Sequence, residues 1–255
     1  IIRNRIDALG VTEPLIQTKG FNQIIVELAG IKDTSRAESL IQNTGKLEFI
    51  LVKDKTKTWT RIFDKIDNDN LNQSLSSLVE FDKNKTFTPY VFVENLKKNK
   101  VDSILNSDRV NNLLKDVQFL WGVEDEEING YTTLYLLNRY IELTGNEIKN
   151  PKAEQYPIES QNSGEWYISL EFTNPYDFEE ITDDNTNRFL AIILDNEVKM
   201  APRINQKISN GQAQISGSFT SREAKDMEAI LIAGELPAKI NIASQLQVDA
   251  SLGKD

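Results

Sequence analysis

The side chains of this chain that could do chemistry are carboxylates, hydroxyls, amines and three tryptophans, because its 255 residues include neither histidine nor cysteine. Those two zeros exclude a Ser-His-Asp or Cys-His nucleophile, a thiolate metal centre, a disulfide and an imidazole switch near neutral pH. Catalysis would have to run on paired acids, Lys, Tyr or a Ser/Thr-Lys couple. A pair of acids could be drawn from Asp177, Glu179, Glu180, Asp183 and Asp184. Glycosidase chemistry, however, sets its two carboxyls about 5 to 10 Å apart across a cleft, and a run this dense reads first as a solvated helix face. Glu124-Asp125-Glu126-Glu127 offers oxygen ligands for a divalent cation but lacks the alternating spacing and the glycine of a calcium loop, so an acidic turn is expected there. The stretch between Gly211 and Gly217 has no Lys-Ser/Thr of a phosphate loop. Trp59, Trp121 and Trp166 could stack on a ligand, although core packing is the default for aromatics at this frequency.

Charge narrows the partners. The 29 Lys and Arg against 39 Asp and Glu give a net charge of -10. Phosphate binding needs clustered cations that release counterions, so nucleic acid is not an expected partner, and adhesion to anionic lipid is disfavoured for the same reason. At 39% hydrophobic residues the chain can build a core. No window approaches the roughly 18 consecutive apolar residues of a spanning helix. The opening Ile1-Ile2-Arg3-Asn4-Arg5, without an initiator Met or a leader, reads as a piece of something longer.

The elements that would position any site fall into three regions. In the first, Ile2, Ile6 and Leu9 form a helical stripe that stops at Gly10, and residues 24–28 read as a β-branched strand closed by Gly30. Asp33 can cap a second helix, with Ser35 and Glu38 as an alternative capping box, and Ala37, Leu40, Ile41 and Thr44 line its inner face. Residues 46–53 then alternate Leu47, Phe49 and Leu51 against Glu48, Ile50 and Val52. The second region, 54–162, is more polar. A helix is expected over 101–120, a strand over 131–137 and a loop over 151–164. In the third, residues 166–172 alternate as a strand, Pro175 starts a helix, 189–194 is a buried strand, and Asp195-Asn196-Glu197 is a hairpin turn. Thr220 and Glu223 form a capping box for a helix ended by Gly234 and Pro237, and 240–248 is expected as a last strand. The order of elements implies an α+β fold.

Several blocks go further by resemblance. Ile2-Arg3-Asn4-Arg5-Ile6-Asp7-Ala8-Leu9-Gly10-Val11-Thr12-Glu13-Pro14 resembles the opening of the extracytoplasmic domain of the SecD family, and Gly45-Lys46-Leu47-Glu48-Phe49 resembles a strand that follows it. Downstream, Arg188-Phe189-Leu190-Ala191-Ile192-Ile193-Leu194-Asp195-Asn196 and Gly211-Gln212-Ala213-Gln214-Ile215-Ser216-Gly217 are similar to two further strands of the family, and Gly234-Glu235-Leu236-Pro237 to its turn. Ser251-Leu252-Gly253 resembles the lead into the family's second membrane helix. Gln118-Phe119-Leu120-Trp121-Gly122 and Leu143-Thr144-Gly145 look like the larger SecD variants often fused to SecF. Asn196 stands where glycine is usual, and Asp249-Ala250 replaces Gly-Pro.

The resemblance implies a ferredoxin-like base, incomplete at its N-terminus, with a large inserted α+β head. Residues 1–52 would be the first part of the base, 53–238 the head (53–162 variable, 163–238 family-like), and 239–255 the last base strand and the lead-in to the membrane. It implies a mechanical role with no catalytic residue, cofactor or metal: capture of an unfolded preprotein on the extracytoplasmic side of the inner membrane, alongside SecF and the SecYEG channel. Head-base movement would be coupled to proton flow through a membrane part outside this chain. Sequence-tolerant capture favours an apolar groove or a free strand edge. The positions singled out for preprotein contact or hinge are the apolar residues near the base-head crossovers: Leu47, Phe49, Leu51, Leu231 and Leu236. A carboxylate-dependent hydrolase and a freestanding scaffold or adhesin are the alternative readings.

Overall fold

The computed structural model describes residues 1–11, 13–68, 74–123 and 130–246. The acidic run 124–127, Asp69 and Asn70, and the segment from 247 through Ser251-Leu252-Gly253 lie outside the described residues. The elements run, in chain order, α1 (Ile2–Asp7), β1 (Leu15–Lys19), β2 (Gln23–Glu27), α2 (Thr34–Gln42) and β3 (Leu47–Leu51). Next come α3 (Thr56–Asp67), β4 (Tyr90–Glu94), α4 (Lys98–Leu105), α5 (Asp108–Leu113), β5 (Val117–Trp121), β6 (Tyr131–Asn138) and β7 (Leu143–Thr144). Last are β8 (Ile148–Gln155), β9 (Trp166–Phe172), α6 (Pro175–Asp184), β10 (Leu190–Leu194), β11 (Glu197–Met200), β12 (Gln212–Phe219) and α7 (Ser221–Ala233). The α+β class read from the sequence is the one observed.

The centre is a four-stranded sheet in the order β11-β10-β3-β7. Both inner strands are buried at every residue, so this sheet has two apolar faces. Leu47, Phe49, Leu51, Leu190, Ile192 and Leu194 point to one side, against the β12-β9-β8 sheet and the inner faces of α6 and α7. Ile50, Val52, Ala191 and Ile193 point to the other, against Tyr135 and Leu137 of β6. Beyond β6, the sheet β4-β6-β5 and helices α3, α4 and α5 enclose a third core around the fully buried Trp59, whose indole N–H donates to the Thr88 carbonyl at 2.7 Å. The layers are tied by Asp54, wholly buried, which takes both Oδ atoms to Arg188 Nε at 3.0 and 3.1 Å, while Arg188 Nη2 reaches the Val52 carbonyl.

The N-terminal block is held by one arginine. Arg5 is fully buried, and its guanidinium donates to the carbonyls of Leu40, Asn43 and Thr44 at the end of α2 and of Gly234 at the end of α7. Both helix C-termini present unpaired carbonyls and the negative end of the dipole, so a cation here answers two helices at once. Burial draws the Arg5 guanidinium below its ordinary value, and the nearby charge of Asp195 partly offsets that. Asp195 grips the same loop from the other side, accepting from the Thr44 hydroxyl and from the N–H groups of Gly45 and Lys46. Between them sits Gly45 at φ +73°, where a Cβ would lie 2.7 Å from Arg5 Nη2 and 2.9 Å from Ile230 Cγ2.

Several expectations change. The helix expected over 101–120 is two short helices and a strand, because the Ser107 hydroxyl accepts from Val110 N–H and starts a new helix, and 117–121 pairs with β6. The loop expected over 151–164 begins instead as β8, in which a register shift between Lys149 and Lys152 accommodates Pro151. β1 was not anticipated; it pairs only with β2, and that hairpin leaves Leu15, Phe21, Ile24 and Ile25 exposed. The strand expected over 240–248 is not formed through residue 246, where no neighbouring strand supplies ladder partners. Strand β3, at the end of the expected base segment 1–52, is hydrogen-bonded to β10 and β7.

Two outcomes test this account. Arg5→Met leaves the α2 and α7 carbonyls without their shared donor and is expected to destabilise the chain by about 3 kcal/mol in urea unfolding, the scale of hydrogen bonds to a charged group. Asp67 accepts from the Ser74 hydroxyl and from the N–H groups of Leu75 and Ser76. Burial pushes its carboxyl up, but those hydrogen bonds outweigh it and hold the group below its usual value. Its stabilisation is therefore present above the unfolded-state value of about 4 and is lost as pH falls through the folded-state value. Asp67→Asn should lose about 1 kcal/mol at neutral pH, after discounting for partial exposure, and match the parent at pH 2.

Candidate functional site

A groove of about 850 Å³ lies between the β10–β11 hairpin and the β12-β9 edge. It exists because β11 and β12 are each the last strand of their sheets, so two edges face one another without forming a ladder. One side of it is apolar and reaches the central core through Phe49, Phe178, Ile192 and Ile204. The other side follows the solvent face of β8 and β9, where period-two alternation puts Lys152, Glu154, Tyr167 and Ser169 outward.

The polar wall is internally paired. Lys152 Nζ lies 2.9 Å from Glu154, which also accepts from the Tyr167 hydroxyl at 3.2 Å. The hydrogen bond from Lys152 holds the Glu154 carboxyl below its usual range, and the same bond raises Lys152. Desolvation first, then Glu154, raises the Tyr167 hydroxyl. Tyr167 packs on Tyr156 with ring centroids 4.4 Å apart, and the Tyr156 hydroxyl meets Ser216 Oγ at 3.0 Å and accepts from Gln214 Nε2 at 2.8 Å. A carboxyl held ionised beside a lysine is an ion-pair partner rather than a proton donor. The α6 acids considered as a catalytic pair are surface groups, with Lys207 bridging Glu179 at 2.5 Å and Asp183 at 3.7 Å.

Backbone groups complete the wall. The Gly211 carbonyl accepts from Phe172 N–H, so residues 211, 213 and 215 direct their N–H and C=O groups toward β9. Gln212, Gln214 and Ser216 therefore direct theirs the other way, into the groove. Asn210 Oδ1 takes the N–H of Gln212, and the thioether of Met200 on β11 takes that of Ser216 at 3.0 Å. Sulfur is a weak acceptor.

The five positions singled out from the sequence are all buried, at 2% for Leu47, 1% for Phe49, 7% for Leu51, 8% for Leu231 and 6% for Leu236. Leu47, Phe49, Leu51 and Leu231 share the central core. Leu236 stands apart, its N–H donating to the Thr44 carbonyl beside the Arg5 clamp. As folded, they present no open surface at the crossovers, because β3 is covered on both faces; among them Phe49 lines the groove. Sequence reasoning missed the groove's polar components: Gln212, Gln214, Ser216 and Met200. Their alternation was visible, but nothing in a strand's own sequence says that its second neighbour is absent. Of the tryptophans, Trp59 is core, Trp121 donates its indole N–H to Asp102 at 2.8 Å, and Trp166 lies at the α7 side of the central core.

Two stretches of the chain match known families. Residues 1–54 match the family described as protein translocase subunit SecDF, P1 domain, N-terminal, and residues 122–238 match the SecDF P1 head subdomain. A protein translocase subunit SecD of Calditerrivibrio nitroreducens is 34% identical over the whole chain, which covers 41% of that relative, and one of Endomicrobium trichonymphae is 32% identical, with 47% covered. The chain thus spans less than half the length of these relatives. Among solved structures, a SecDF in a super-membrane-facing form superposes with a TM-score of 0.58 at 28% identity, over 95% of this chain and 26% of that one. A second, of a membrane component SecDF that enhances protein export, gives 0.57 at 28% identity over 97% of this chain and 90% of that one. With both ends of the match in one family and the fold shared almost end to end, the chain belongs to the SecD/SecDF family of protein translocase subunits, as its P1 domain.

Proposed function

We propose that this P1 domain captures an emerging, unfolded preprotein in the groove between the β10–β11 hairpin and β12, on the extracytoplasmic side of the membrane. The observation that carries this reading is the groove itself: an apolar floor beside a strand edge whose outward backbone groups pair with side chains and with no second strand. Such a surface holds a chain through its main chain and a few apolar side chains, which is the selectivity a translocase needs for many different substrates. Relatives named as protein translocase subunits, and a solved SecDF described as enhancing protein export, support the same role.

Movement would enter through the clamp. The β10–β11 turn carries Asp195, which grips residues 44–46, while Arg5 ties those residues to α1 and α7. In our reading, proton flow through the membrane part displaces the N-terminal block, Asp195 carries that shift to the hairpin, and Met200 on its second strand alters the groove. The division into base (1–52 and 239–255) and head (53–238) is the coarse form of this proposal, with Leu47, Leu51, Leu231 and Leu236 as the packed residues across which the shift passes and Phe49 as groove floor. Transport follows only if the two arrangements differ in affinity for the preprotein, since equal binding shifts nothing. SecF and the SecYEG channel would be the partners of the complete protein.

The chain is free of cysteine, so single cysteines report cleanly. With a preprotein stalled in a reconstituted translocase, Gln214→Cys and Arg203→Cys should crosslink to the translocating chain, and Lys57→Cys, exposed on α3, should not. Crosslinks from Lys57→Cys alone, with none from the groove positions, would sink the proposal.

A further inference from the structure

Resting on the groove as the capture site, we propose how it recognises its ligand: an extended polypeptide segment adds to β12 as a fourth, antiparallel strand of the β12-β9-β8 sheet. The ligand class is a proline-free stretch with apolar residues at every second position.

The argument begins with the edge. Along Gln212, Gln214 and Ser216 the outward N–H and C=O groups recur about every 7 Å, the two-residue repeat of a strand. Gln214 gives these groups to no neighbouring strand, since β12 ends the sheet order. The two flanking N–H groups are held by substitutes, the Asn210 side chain on one side and the Met200 thioether on the other. Both are side-chain atoms that an arriving carbonyl can replace, and a carbonyl is the stronger acceptor than sulfur. The thioether gives way once the β10–β11 hairpin draws back, since β11 lies within 8 Å of β12 between Cα atoms and an added strand needs two strand spacings. β12 is already antiparallel to β9, as is every ladder between strands among the described residues.

Register then dictates the side chains. A residue opposite Gln214 exchanges both backbone bonds with it and lays its side chain on the polar face, beside Tyr156 and Ser216. The residues on either side of it turn toward the face of Ala213 and Ile215, where Phe49, Ile192 and Ile204 form the floor. Alternate positions are thus read by polarity only. Proline at a polar-face position would lack the donated N–H.

The test uses the whole chain and a fluorescent octapeptide alternating valine and threonine, unmodified, N-methylated on every threonine, or N-methylated on every valine. In the antiparallel register the threonine amides face β12 and the valine amides face away. Threonine methylation should weaken binding by roughly tenfold or more, the effect of losing two or three backbone hydrogen bonds, and valine methylation should leave it within about threefold. Gln214→Pro removes one outward donor without touching the β9 ladder and should weaken the unmodified peptide by roughly fivefold, the effect of one backbone hydrogen bond, with the far-ultraviolet circular dichroism unchanged. Equal affinities or equal losses for the two methylated peptides overturn strand addition while leaving groove capture standing, as does full binding by a folded Gln214→Pro chain. Loss in the valine frame alone overturns the antiparallel register. No binding of the unmodified peptide overturns groove capture itself.

Discussion

The pairing of β3 with β10 is the constraint on which the rest of this structure depends. Five residue pairs, from Leu47 with Leu194 to Leu51 with Leu190, form a ladder whose two faces are both closed to water. A strand buried on both sides must be apolar on both, and its alternate residues must meet two different cores. Phe49 does so at 5.1 Å from the Phe172 ring, while Ile50 and Val52 face the β6 side. The single acid in β3, Glu48, is kept at 4% exposure by an ion pair with Lys46 at 2.7 Å. Removing this ladder would take away the wall shared by the two cores on its faces, while α3, β4 and β5 build a third core on the far side of β6.

What the sequence made legible was local. The Thr220 and Glu223 capping box forms both of its bonds, the Asp33 side chain accepts from Arg36 N–H, and Asn196 takes the positive φ that the hairpin turn requires. Each depends on atoms within three residues, so spacing is enough. Features set by distant partners were not legible. Residues 151–155 carry a proline and a lysine yet form strand because β9 lies beside them. Residues 240–246 carry an alternating pattern yet form none, and no ladder among the described residues includes them. Residues 117–121 fit a helical stripe as well as a strand, and β6 decides between them.

The site followed the same division. The apolar positions near the crossovers, Leu47, Phe49, Leu51, Leu231 and Leu236, are buried in packing, and of these Phe49 also lines the groove. The groove instead comes from two sheet edges that fail to pair, one closed by a bulged hairpin and the other left with glutamine and serine along it. The family blocks in the sequence cover these strands without saying which side of each is open. That openness is a property of the neighbours.

The arginine clamp also has a temporal side. A polypeptide is made from its N-terminus, and domains generally fold as they emerge. Three of the carbonyls that Arg5 reaches are available within 39 residues of it, but Gly234 is 229 residues away. Helix α1 therefore cannot complete its seat until Gly234 has left the ribosome. Until then its arginine holds three of its four carbonyls, and α1, made before every other element described here, is among the last of them to be locked.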